Sequence, residues 1–116
     1  MEDLRTLTLK LLDYNRQCVS IFENARKKGT DGDFYMEVKP FADEVTAINN
    51  KWKEIAMEHS AILSQEGITT KQIEMVNEHL ERLAIQAFYI KTSRYTFMNS
   101  SRTVEYTLQK ILEKVS

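Results

Sequence analysis

The chain has 116 residues, 42% of them hydrophobic and 28% charged, and a net charge of -1. That length fits one domain, residues 1–116, with a proper hydrophobic core, and the near-neutral charge supplies no global attraction for nucleic acid or an anionic membrane. A lone cysteine forms no internal disulfide, no apolar run approaches the roughly 18 residues of a membrane span, and the start MEDLRTLTLK is acidic where a signal peptide is basic; together these point to the cytoplasm.

Three glycines and one proline leave room for long helices. Leu4, Leu7, Leu11, Tyr14, Cys18, Ile21 and Ala25 recur every three or four residues, which predicts a first helix over about 2–28 with one buried face. Leu12, Val19 and Phe22 widen it. Glu2 and Asp3 suit its N-terminus, Arg26, Lys27 and Lys28 its C-terminus, and Gly29 its end. After the turn Gly29–Asp33, a short helical turn at 34–39 meets Pro40, which breaks the second helix. Beyond it, Phe41, Val45, Ile48, Trp52, Ile55, His59 and Ile62 predict one long helix to about Gln65. Thr69 and Gln72 form a capping-box pattern with an Ile68–Ile73 staple, and Ile73, Val76, Leu80, Leu83, Ala87 and Ile90 carry a third helix toward 93–95. Asn99 or Ser100 then caps a fourth, with Val104, Leu108, Ile111, Leu112 and Val115 inward. Four amphipathic helices on short loops predict an all-α, antiparallel up-down-up-down four-helix bundle, its second helix broken near Pro40.

The stretch DFYMEVKPFADEV from Asp33 to Val45, the following Trp52, and LAIQAFYIKTSR from Leu83 to Arg94 resemble the YppE-like family. These are small four-helix-bundle proteins of low-GC Gram-positive bacteria with no assigned function. The resemblance spans the last two thirds of the chain and implies the fold and a cytoplasmic location. It brings no catalytic residues.

His59 and His79, each preceded by Glu, are the two histidines. Ala56 and Val76 stand where a Glu-x-x-His di-metal motif needs glutamate, and neither helix supplies a second histidine, so a zinc or di-iron site lacks ligands. A metal- or cofactor-dependent bundle enzyme using His59 and His79 is the alternative reading, against structural histidines with His59 half-buried. Cys18 falls on the apolar stripe, where a thiol is inert. There is no phosphate loop, nucleophile elbow or paired inward carboxylate, so no catalytic residue, metal or cofactor is assigned.

The favoured reading is a non-catalytic binding module for a protein partner or small anionic ligand, with dimerisation left open. In the up-down arrangement, Phe22, Phe34, Tyr35, Phe41, Phe88, Tyr89, Tyr95 and Phe97 gather at one end. Arg26, Lys27, Lys28, Lys39, Lys91, Arg94 and Arg102 lie in the same segments. Rings supply rigid contact area and arginines grip carboxylate or phosphate, so Lys39, Tyr89, Arg94 and Tyr95 are the candidate anion-accepting border. The plainer alternative is that the rings plug the bundle end.

Overall fold

The computed structural model describes residues 3–115, and among them the chain is all-α with no strand. Five α-helices are present: α1 (Leu4–Lys28), α2 (Lys39–Glu58), α3 (Ser60–Gln65), α4 (Thr70–Gln86) and α5 (Arg94–Val115), with a five-residue π-helical segment, Phe34–Val38, leading into α2. Four helices were expected; the fifth arises because the second is interrupted.

Asp3 caps α1 by accepting from the Thr6 amide at 2.8 Å, and Glu2 lies outside the described residues. At the other end Gly29 adopts φ 73°, a left-handed shape costly for side-chain-bearing residues, and its amide donates to the Ala25 carbonyl. Leu4, Leu7, Leu11, Cys18 and Ala25 are buried as the spacing predicts, with Leu12 and Phe22 beside them. Tyr14 and Ile21 pack at the margin.

The π segment is capped by Asp33, whose carboxylate accepts from the Met36 amide at 2.8 Å. Pro40 sits in the first turn of α2, where a missing amide hydrogen costs nothing. The break near Pro40 is thus a change of helix type. The interruption lies at His59, where φ is -98° and ψ 12° and one amide is shared between the Ile55 and Ala56 carbonyls. This tightened turn shifts the helical phase of residues 60–65. Leu63 is buried, Ile62 is 61% exposed and His59 is exposed, so the expected inward positions of His59 and Ile62 are corrected.

The capping box opens α4: the Thr69 hydroxyl accepts from the Gln72 amide and the Gln72 side chain accepts from the Thr69 amide. The helix stops at Gln86, short of the expected 93–95, because tertiary bonds capture the next residues. The Thr92 hydroxyl donates to the Gln86 carbonyl, the Ile90 amide donates to Asp31, and the Gly32 amide donates to the Phe88 carbonyl. Helix α5 begins at Arg94, not near Asn99, with Ser93 accepting from the Thr96 and Phe97 amides. Its buried face therefore gains Phe97 and Ser101 ahead of Val104, Leu108 and Ile111.

Helix α1 packs on α2 and α5, and α4 packs on the same two. The core between them holds Trp52, Phe22 and Phe97, all fully buried, with branched aliphatic side chains around them. Several buried polar groups thread it. The Trp52 indole donates to the Thr8 hydroxyl at 3.0 Å, and Asn49 donates to the Asn77 carbonyl at 2.8 Å.

Candidate functional site at the aromatic and basic end

The rings of this end divide into two sets. Phe22 (α1) and Phe97 (α5) stack at 4.3 Å between centroids, both buried. Phe88, also buried, meets Phe41 edge-on at 5.8 Å. These four close the core beneath the loops. Gly32 lets the loop approach: a Cβ there would stand 2.6 Å from Phe88 Cδ1. The other set faces outward. Tyr35 is 77% exposed, Met36 80% and Tyr95 78%, with Phe34 half exposed. Phe34 and Tyr35 meet edge-on at 5.1 Å, and exposed aromatic side chains of this kind are what recognition surfaces use.

Two of the basic residues, Arg26 and Arg94, lie against the first set. The Arg26 guanidinium lies 4.3 Å over the Phe22 ring, and Arg94 lies 5.3 Å from it. Arg26 also donates to the Thr92 carbonyl, tying α1 to the start of α5. Arg94 forks onto Glu23 at 2.7 and 3.3 Å, and this donated pair lowers the pKa of the Glu23 carboxyl. Lys39 pairs with Asp43, one turn along α2, at 2.8 Å.

Of the four border residues, Arg94 and Tyr95 stand together at the first turn of α5, exposed. Tyr89 is partly buried in the α4–α5 turn, and Lys39 is exposed at the start of α2. Lys39 and Arg94 each already hold a carboxylate, so an incoming anion competes with Asp43 and Glu23. A cavity of about 210 Å³ lies nearby under Phe88, with Lys28, Asp31 and Glu37 at its walls. None of the four lines it.

His59 Nδ1 lies 2.9 Å from the carbonyl of Ile55 in its own helix. His79 is partly buried with an enclosed, unpaired Nδ1; desolvation first, and then Arg82, lowers its pKa. Among the described residues no group of three or more histidine, cysteine, aspartate or glutamate side chains could hold a metal ion. The Cys18 thiol is fully buried, and desolvation pushes its pKa up to about 12.

Sequence reasoning missed a polar ring between α1 and α5. Buried Asn15 donates to the Ser101 carbonyl at 3.1 Å and to Glu105 at 3.3 Å, while the Ser101 hydroxyl donates back at 3.0 Å. Arg16 pairs with Glu105 at 2.8 Å. Asn15 follows Tyr14 on the apolar flank, and polarity at that one position was the available signal.

The sequence model of a family described as a bacterial domain of unknown function, DUF1798, matches residues 8–115. An uncharacterised protein, YppE of Bacillus subtilis, is 22% identical over 95% of each chain. The crystal structure of that YppE protein superposes with a TM-score of 0.88 at 20% identity, covering 97% of this chain and 91% of the other. A Listeria innocua protein of unknown function gives 0.89 at 22% identity, covering 96% and 89%. A Staphylococcus aureus member of the DUF1798 family gives 0.81 at 24%, covering 97% and 96%. At these identities the solved structures show the fold alone.

Proposed function

The chain belongs to the bacterial DUF1798 family, and on that premise we propose that it is a non-catalytic binding module that captures a protein partner or a small anionic group at its aromatic and basic end. The observation that carries this is the exposure of Tyr95, at 78%, in the first turn of α5 next in sequence to Arg94. An exposed tyrosine on a rigid helix end offers contact area at small entropic cost, and Arg94 can turn its fork from Glu23 to an incoming carboxylate or phosphate.

The scaffold is an up-down-up-down bundle of α1, α2, α4 and α5, acting as one domain in the cytoplasm. Opposed pairings support it: Arg16 meets Glu105 and Glu23 meets Arg94 along α1 and α5, while Thr8 meets Trp52 and Tyr14 meets Phe41 along α1 and α2. No helix among the described residues is long and apolar enough to cross a membrane.

The test is affinity capture with the wild type against Arg94→Ala and Tyr95→Ala. Both variants should lose the captured species while melting within a few degrees of wild type, since exposed ion pairs contribute only about 0–1 kcal/mol. Variants that unfold would make these residues parts of the core closure. Variants that keep both stability and capture would place the site elsewhere.

A further inference from the structure

A groove of about 410 Å³ follows the seam of α1 and α5. Its volume falls within the roughly 300–1,000 Å³ of small-molecule sites. Met98, Arg102 and Tyr106 succeed one another at intervals of four, so α5 presents them on one face. Arg16 and Val19 of α1 form the opposite wall. None of Lys39, Tyr89, Arg94 or Tyr95 lines this groove; it begins at Met98, one turn along α5 from Arg94, and takes in Arg102, which the sequence groups with the aromatic end.

The polar groups at its base are committed. Asn15 uses both amide hydrogens on the Ser101 carbonyl and Glu105, and its carbonyl takes the Ser101 hydroxyl. Glu105 also accepts from Arg16 at 2.8 Å and from Gln109 at 3.1 Å. What remains for a ligand is apolar surface: Val19 and Met98, packed on the core, and the Tyr106 ring, whose residue is 67% exposed.

The rim charge is asymmetric. Glu105 balances Arg16, whereas Arg102 is exposed and forms no ion pair among the described residues. One uncompensated guanidinium therefore faces an apolar trough. The ring anchored by Asn15 fixes Glu105, and Glu105 fixes Arg16, so the wall is ordered before any ligand arrives.

The geometry points to a binding site for a small amphipathic organic anion, with its carboxylate at Arg102 and its flat apolar body against Val19, Met98 and Tyr106. The carboxylate provides the counter-charge that Arg102 lacks, and the apolar body covers the side-chain carbons of Val19 and Met98 and the face of the Tyr106 ring.

The test is an NMR titration of the wild-type protein, reading the Met98 and Val19 methyl signals, with 4-phenylbutyrate as probe. Its neutral amide and plain acetate serve as comparison arms. Saturable shifts at these methyls are expected with the acid. The amide, and the acid with Arg102→Gln, should each bind about tenfold more weakly or worse, since a charge-assisted hydrogen bond is lost. Acetate alone should leave the methyls unmoved. Equal affinity for acid and amide, shifts confined to other surfaces, or no saturable shift up to the probe's solubility would each overturn the proposal. Arg102 is exposed, so the variant should fold; if it does not, the acid and amide comparison on the wild type decides.

Discussion

Replacing Asn49 by leucine should leave the protein as stable as before or more stable, although Asn49 is fully buried and hydrogen-bonded. Its amide donates one bond, at 2.8 Å, to the Asn77 carbonyl, while its own side-chain oxygen is enclosed without a partner. The lost bond is worth about 0.5–1.5 kcal/mol, and the stranded acceptor costs about 1–3 kcal/mol in the native state. The return bond, from the side-chain amide of Asn77 to the backbone carbonyl of Asn49 at 3.4 Å, does not depend on the Asn49 side chain. The balance runs from about 0.5 kcal/mol of loss to about 2.5 kcal/mol of stabilisation, centred on about 1 kcal/mol, less any strain from the extra volume. Asn15→Ala is the opposite case. It removes two donated bonds and one accepted bond and leaves the Ser101 hydroxyl without its acceptor, a loss of about 2–3 kcal/mol. In a chain of this size about 1 kcal/mol moves the melting temperature by roughly 3–6 °C. Urea unfolding followed by circular dichroism should give unchanged slopes, a midpoint equal or higher for Asn49→Leu, and a lower one for Asn15→Ala. A clear loss for Asn49→Leu at unchanged slope, with Asn49→Ala no worse, would refute this and show overpacking instead. A neutral Asn15→Ala would refute the claim that the α1–α5 ring supports the native state.

Other outcomes rest on single groups. The Cys18 thiol should resist maleimide in the native protein and react at once in denaturant. Its pKa is raised in the fold to about 12, so its contribution to stability is complete below the unfolded value near 9 and declines from there to about pH 12. Cys18→Ala should flatten that part of the alkaline decline, and an identical profile would contradict the burial. His79 has a lowered pKa, so the unfolded chain takes up its proton first as pH falls below about 6.5 and stability drops. His79→Gln should therefore lose less stability than wild type between pH 7.5 and 5; an equal loss would mean that the ring is freely hydrated. Gly32→Ala should cost about 1–3 kcal/mol in thermal unfolding, because the new methyl meets Phe88 at 2.6 Å; a neutral result would show that the loop yields.

The buried faces of α1, α4 and the later part of α5 were legible in the sequence because apolar spacing maps directly onto a helical surface. The start of α4 was legible because its capping box is a local device. What escaped was set by tertiary bonds. The turn at His59 has no proline or glycine to announce it, and a shared amide moved the inward position from Ile62 to Leu63. Helix α4 ends where Asp31, Gly32 and Thr92 compete for its last groups, partners dozens of residues away or beyond the next turn. At the candidate site, Phe22 meets Phe97 and Phe41 meets Phe88, but which rings turn inward was not legible in the sequence. Phe97 is buried because α5 starts at Arg94, and the same early start leaves Tyr95 outside. The α1–α5 groove depends on Asn15 sitting inside, a choice that composition does not show.

The central claim is that the surface around Tyr95 engages another molecule, and site-directed photo-crosslinking in the bacterium that encodes the protein tests it most directly. A benzophenone side chain placed at Tyr95 would be compared with one at Lys71, an exposed position on the first turn of α4. A discrete covalent adduct at Tyr95 that is absent at Lys71 and lost when Arg94→Ala is added is the predicted result. No adduct at Tyr95, or the same adducts at both positions, would contradict it.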